Sequence, residues 1–167
     1  MTVTEITEIN KSRAKIRTDE DISFVLYKGE LRTYRIQEGK EITETVYQEI
    51  MGELLPKRAK KRVLNLLKNR SYTSAQLKDK VELGGYPHQI AQEAIAYAAS
   101  YGYVNDNQYA LDFIEYNKET KSRTRIFTDL LRKGIPERII KEAWDEVVGD
   151  ERQELEKEQI MRWINKK

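Results

Sequence analysis

The apolar positions of this chain change their period once, and that change divides it. Over residues 1–42 they alternate with polar ones: Ala14 and Ile16 stand between Arg13, Lys15 and Arg17, the period-2 pattern of a half-buried strand. Ile22-Ser-Phe-Val-Leu-Tyr27 and Leu31-Arg-Thr-Tyr-Arg-Ile36 flank Lys28-Gly29-Glu30, which predicts a hairpin turning through those three residues. So small a sheet is marginal alone and needs a second layer. Thr43 before Glu44 predicts an N-cap for a helix through Leu55, where Pro56 interrupts.

From Lys57 onward the period is helical. Ala59, Val63, Leu66, Leu67 and Arg70 fall on one face. Thr73-Ser74-Ala75-Gln76 has the form of a capping box ahead of Leu77 and Val81. Gly84-Gly85 stops that helix, Pro87 suits the first position of the next, and Ile90, Ala94, Ile95 and Ala98 form its stripe. Tyr101-Gly102-Tyr103 closes the unit.

The unit then recurs. Leu111, Phe113 and Ile114 match Leu64, Leu66 and Leu67; after a loop two residues longer, Ile126 and Leu130 match Leu77 and Val81. Gly134-Ile135-Pro136 matches Gly85-Tyr86-Pro87, and Ile139, Ala143 and Trp144 match Ile90, Ala94 and Ile95, an offset of 49 residues. Leu155, Ile160, Trp163 and Ile164 suggest the first helix of a third copy beginning near Asp150. The expected division is a β-rich module over 1–42, a first helical repeat with a lead-in helix over 43–105, a second repeat over 106–149, and the first helix of a truncated third over 150–167. The fold class is mainly α: tandem three-helix repeats in a right-handed or curved solenoid-like array, preceded by a small N-terminal antiparallel β-hairpin or sheet.

Composition adds mostly exclusions. The 167 residues are 39% hydrophobic and 35% charged, ordinary for a helical chain of thin layers. There is no cysteine, which removes disulfides, thiolate metal sites and cysteine nucleophiles and fits a reducing compartment. The acidic N-terminus does not read as a signal peptide, and no run reaches the ~18 apolar residues of a membrane span, so a cytoplasmic location is expected.

Charge is more informative once divided. The net charge is +2, but residues 57–80 hold 9 basic and 1 acidic side chain, residues 81–116 hold 5 acids and no Lys or Arg, and residues 117–141 hold 8 basic and 3 acidic. Each repeat opens basic and closes acidic, a pattern that speeds encounter and fixes register with a charged partner. Lys57, Arg58, Lys60, Lys61 and Arg62, with Lys121, Arg123 and Arg125, and Arg132 and Lys133 after them, are the candidates for a positive surface.

The remaining chemistry is sparse. His88 is the single histidine, placed at a helix start and expected at the surface without acids nearby, so neither a metal site nor a dyad is expected. Gly84-Gly85 lacks the Gly, Lys and Ser/Thr of a phosphate loop. Glu151, Glu154, Glu156 and Glu158 read as a solvated helix run. Tyr97, Tyr101, Tyr103 and Tyr109 lie in the acidic block and are expected to pack internally, which leaves Tyr72 and Tyr116, beside basic segments, for contacts. Trp144 and Trp163 are expected in the core. No nucleophile, base and orienting group assemble, so neither enzyme activity nor a cofactor is expected.

One resemblance gathers these features. Lys57-Arg58-Ala59-Lys60-Lys61-Arg62-Val63-Leu64, Gly84-Gly85-Tyr86-Pro87, Gly102-Tyr103-Val104-Asn105-Asp106 and Gln108-Tyr109-Ala110 resemble the RecX family. Lys121-Ser122-Arg123, Ile126 and Arg132-Lys133-Gly134-Ile135-Pro136 repeat the resemblance, which covers roughly residues 57–148. It implies a regulator that binds the RecA protein and its filament on single-stranded DNA, and that inhibits recombinase, ATPase and coprotease activity in DNA repair and the SOS response. The expected molecule is a monomer with at most weak, non-specific nucleic-acid contact and no membrane partner. The competing reading is a direct DNA-binding protein of helix-turn-helix type, since three short helices beside a hairpin have that form. Against it, the third helix of the first repeat is Ala-rich and acidic, with only Gln89 and Gln92 suited to reading bases.

Overall fold

The computed structural model describes the backbone over residues 1–165 and the side chains of residues 1–149 and 160–164. Three strands form one antiparallel sheet in chain order: β1 (Val3–Glu8), β2 (Arg13–Thr18) and β3 (Ser23–Tyr27). Helices follow: α1 (Lys28–Thr33), α2 (Glu44–Glu49), α3 (Leu55–Asn69), α4 (Ser74–Leu83), α5 (His88–Ser100), α6 (Asp106–Asn117), α7 (Arg123–Arg132) and α8 (Glu137–Asn165). The chain forms two compact units, the first Met1–Arg70 with Leu77–Val104, the second Ser71–Gln76 with Asn105–Lys167.

In the first unit the alternation of β2 holds: Ala14, Ile16 and Thr18 are buried and Lys15 and Arg17 exposed. Antiparallel register sets Ala14 opposite Leu26 and Ile16 opposite Phe24, which makes one apolar face. The hairpin expected at Lys28-Gly29-Glu30 is absent, because the chain enters α1 there. The Glu30 carboxylate accepts a hydrogen bond from the Tyr27 backbone N–H at 2.9 Å, capping the helix. Leu31 and Tyr34, spaced i and i+3, are the half-buried positions that follow, so the helical spacing outweighs the β-branched run. The tight turns lie elsewhere. Asn10 Oδ1 accepts the backbone N–H groups of Ser12 and Arg13 between β1 and β2, and Asp21 takes a left-handed φ of 56° between β2 and β3.

Thr43 caps α2 as expected, its side chain accepting from the Val46 N–H. Pro56 does not end the helix. A π-helical turn over Ile50–Leu54 carries the chain from α2 into α3, with the proline at its first turn. The wider turn makes room for a ring that would clash with the preceding carbonyl in an α-helix, and the missing N–H costs no bond there. Buried Leu55, Ala59, Val63 and Leu66 of α3 face α5, where Ile90, Ala91, Ala94, Ile95 and Ala98 are buried. Gly85 (φ +95°) makes the turn between α4 and α5, and Pro87 occupies the cap position just before α5. A Cβ at Gly85 would lie 2.1 Å from Val25 Cγ2, so β3 seats directly on this turn, which forms part of the sheet's second layer.

The second unit repeats the design. Ala110, Ile114, Ile126, Leu130, Ile135, Ile140 and Ala143 form its core, with Phe113, Phe127 and Trp144 packed around them. Gly134 (φ +86°) is the counterpart of Gly85, and a Cβ there would lie 2.3 Å from Ala75 Cβ. The capping box at Thr73 is present in reciprocal form: Gln76 N–H donates to Thr73 Oγ1, and Thr73 N–H to Gln76 Oε1. The buried Thr73 hydroxyl also donates to the Lys133 carbonyl, and Asp106 Oδ1 accepts from Ser74 N–H at 2.9 Å. Asn105 and Ser122 cap α6 and α7. The helix boundary expected near Asp150 does not occur, since α8 continues from Glu137 to Asn165. Leu155 and the carboxylates Glu151, Glu154, Glu156 and Glu158 lie outside the described residues. Trp163 is 64% exposed rather than in a core. Among the described residues no helix is long and apolar enough to cross a membrane.

Candidate nucleoprotein interface

Helix α3 carries the densest run of positive charge, and helical geometry separates that run into two faces. Lys57, Lys60, Lys61 and Lys68 line a groove of about 550 Å³ together with Gly52, Glu53, Leu64 and Tyr97. No described residue pairs with any of these four lysines as an ion pair, and the groove lining has one carboxylate, that of Glu53. Their charge is therefore available to a ligand. Lys60 Nζ lies 4.7 Å from the centre of the Tyr97 ring, a cation–π contact that holds the ammonium at the groove wall.

Arg58 belongs to the other face. Its guanidinium donates two hydrogen bonds to the Glu30 carboxylate, one of 2.8 Å, and lies 4.6 Å from the centre of the Tyr27 ring. Donating this hydrogen bond to Glu30 raises its pKa above the ordinary value against the opposing effect of burial. Arg58 thus ties α1 to α3 and is withdrawn from the expected positive surface, because its charge is matched by a half-buried carboxylate. Arg62 is exposed one turn further on, and both arginines counter the burial that raises the Tyr86 phenol.

In the second unit the basic residues are partly neutralised. Lys121 Nζ lies 3.2 Å from Asp129 Oδ2 and Arg125 Nε lies 3.3 Å from Asp129 Oδ1. The Lys121 hydrogen bond, aided by the Arg125 charge, holds the Asp129 carboxyl below the usual carboxylate range. Arg123 stacks its guanidinium over Phe127 and Trp144, at 4.9 and 5.7 Å from the ring centres, and Lys133 lies 5.7 Å from the Phe113 ring. Arg132 is exposed. Trp144 is half-buried against the core and meets Phe127 edge-on.

The tyrosines are arranged otherwise than the acidic block suggested. Tyr97, Tyr101 and Tyr103 are 38%, 61% and 59% exposed, while Tyr72 is buried. Tyr116 is exposed as expected, and Tyr109 packs against the second core. Tyr97 meets Tyr101 edge-on at 5.2 Å, and Tyr101 stacks on Tyr103 at 5.9 Å with planes 19° apart. A hydrogen bond with Tyr101 raises the Tyr97 phenol, keeping it neutral at physiological pH. Helical spacing would return Tyr101 to the buried stripe of Ala94, but α5 ends at Ser100 and Gly102 (φ +77°) turns the chain out. The only sequence signal was that helix stop, and composition outweighed it. His88 is half-exposed in the first turn of α5, but Glu82 Oε1 lies 2.6 Å from its Nδ1, so an acid does stand beside it. Among the described residues, no three His, Asp or Glu side chains converge in a way that could hold a metal.

The chain matches no family model. It is 32% identical over its whole length to the regulatory protein RecX of Caldanaerobacter subterraneus subsp. tengcongensis, covering 84% of that protein. The chain belongs to the RecX family. RecX of Clostridioides difficile is 27% identical over 84% of this chain and 67% of its own, and RecX of Clostridium botulinum strain Alaska E43 is 28% identical over the whole chain and 77% of its own. A crystal structure of a regulatory protein RecX superposes with a TM-score of 0.55 at 22% identity, covering 98% of this chain and 84% of that one. The RecX fold, with its N-terminal three-stranded sheet and helical repeats, is therefore the fold of this chain, and its role is that of a regulatory protein.

Proposed function

We propose that this RecX-family chain is a non-enzymatic, cytoplasmic regulator that binds RecA and its single-stranded DNA filament. By doing so it restrains recombinase, ATPase and coprotease activity in DNA repair and the SOS response. Family membership supplies the regulatory role. The observation that carries the rest is the lysine groove of α3, whose four ammonium groups face one glutamate and can meet an anionic nucleoprotein surface. In the second unit Asp129 takes up the charges of Lys121 and Arg125.

The test is a titration of RecA ATP hydrolysis stimulated by single-stranded DNA, run beside binding to bare duplex at two salt concentrations. Inhibition at substoichiometric protein with weak, salt-sensitive duplex binding supports the reading. The variant Lys57→Glu/Lys61→Glu should require roughly tenfold more protein for the same inhibition, as expected when field complementarity is reversed. Tight, sequence-dependent duplex binding with no effect on hydrolysis would instead favour a helix-turn-helix reader.

A further inference from the structure

Tyr97 belongs to two features at once: it lines the lysine groove and it begins the row of exposed rings. We propose that this continuous surface of the first unit is a platform for single-stranded nucleic acid, with bases stacked on Tyr101 and Tyr103 and phosphates held by Lys57, Lys60, Lys61 and Lys68.

Single exposed aromatics are common, but here three rings follow one another in contact, Tyr97 to Tyr101 to Tyr103, each with more than a third of its surface open to water. Phenol rings are apolar and flat, which suits any nucleobase, so recognition here needs no base-specific donor or acceptor. The lysines supply what the rings lack. From Lys57 to Lys68 α3 rises about 16 Å, enough to follow roughly three to five phosphates of one strand. Lys60 links the two parts, since its ammonium sits against Tyr97 while its neighbours Lys57 and Lys61 point to the same groove.

The acids nearby define the polarity of the site. Glu93, one turn before Tyr97, accepts a hydrogen bond from Gln89 Nε2, and Glu53 is the one carboxylate in the groove lining. Glu93 would repel phosphate from the α5 side and leave it over the lysines of α3, with the bases turned to the rings. A duplex hides its base faces in its own stack, so the rings gain nothing from it. An acidic peptide would use the lysines but not the ladder. The combination selects an unpaired strand.

Binding of an oligonucleotide by the protein alone does not require RecA. The experiment measures fluorescence anisotropy of a labelled 15-nucleotide oligothymidine, with a duplex of equal length beside it, at 50 and 200 mM salt. Tyr101→Ala/Tyr103→Ala should weaken single-strand binding at least tenfold while leaving the salt dependence unchanged. Tyr101→Phe/Tyr103→Phe should retain binding, because stacking needs the ring and not the hydroxyl. Lys57→Gln/Lys61→Gln should weaken binding and lower the salt slope by about 0.7 for each phosphate that is no longer neutralised. Urea midpoints matching the parent chain establish that the exposed substitutions leave the fold intact. Equal affinity for duplex and single strand, or a double-alanine variant that binds like the parent, overturns the proposal. If the alanine variant loses the oligonucleotide yet still inhibits RecA, the platform stands and is separate from the regulatory contact. If it binds normally while inhibition is absent throughout, both readings fail on different measurements.

Discussion

Replacing Gly85 by alanine tests how the sheet is held to the helices of the first unit. Two penalties fall on one methyl group. The left-handed φ of +95° disfavours any L side chain, by about 1–2 kcal/mol. The new Cβ would also lie 2.1 Å from Val25 Cγ2 and 2.8 Å from Val25 Cβ, within β3, where relief requires moving a strand; forced overpacking of this kind costs about 1–3 kcal/mol. Together the loss should be about 2–5 kcal/mol. Gly102 separates the two terms, because its φ is +77° and nothing lies within 4 Å of a Cβ there, so Gly102→Ala should lose only the first. Urea unfolding of the parent and both variants, followed by far-ultraviolet circular dichroism, gives the difference from the midpoints at constant slope. Val25→Ala in the Gly85→Ala background should recover part of the loss, with a coupling of about 0.5–3 kcal/mol. If Gly85→Ala and Gly102→Ala unfold within about 0.5 kcal/mol of each other and Val25→Ala gives no coupling, the sheet does not rest on this turn and the packing argument is wrong.

Three further outcomes follow from the same contacts. Thr73→Val removes the cap on α4 and strands the Lys133 carbonyl, so it should destabilise by about 2–4 kcal/mol in urea, whereas Thr73→Ser should stay near the parent. Glu30→Gln leaves the half-buried Arg58 guanidinium without its counter-charge and should lose about 1–3 kcal/mol by the same assay; Arg58→Met in that background should restore part of it, and a variant as stable as the parent would show the pair to be idle. Asp129 is more acidic folded than unfolded, so its contribution is full above the ordinary carboxylate range and disappears as pH falls through the folded value. Asp129→Asn should therefore flatten part of the stability decline as pH falls below the ordinary carboxylate range, and superimposable profiles for the two proteins would discount the pairing of Asp129 with Lys121 and Arg125.

Where sequence reading succeeded, each signal was local and had its own physical cause. Thr43 and Thr73 cap helices because a hydroxyl one residue ahead of a helix reaches its free N–H groups whatever surrounds it. Gly85 and Gly134 fall 49 residues apart because both turns need a left-handed residue, and the buried positions between them keep the same spacing. The failures at Glu30 and Pro56 were contests between two local signals, decided by a carboxylate that caps and a π-turn that makes room.

The interface was legible in composition and not in geometry. That residues 57–62 are basic is written in the chain, and so is the 3.6-residue period that carries them round a helix. Which of them remain available is not, because availability depends on what folds back against each. Glu30, 28 residues away, withdraws Arg58; Asp129, eight from Lys121, withdraws two more; and no described acid takes Lys57, Lys61 or Lys68. The tyrosines show the same division in reverse. Their residue types and the acidic block around them suggested a core, yet the end of α5 and the turn at Gly102 put Tyr101 and Tyr103 in water next to Tyr97, which lies against the lysines. Local sequence determined the helices, caps, turns and repeat. The partners of charges and the exposure of rings are long-range consequences of packing, and only the tertiary structure decided them.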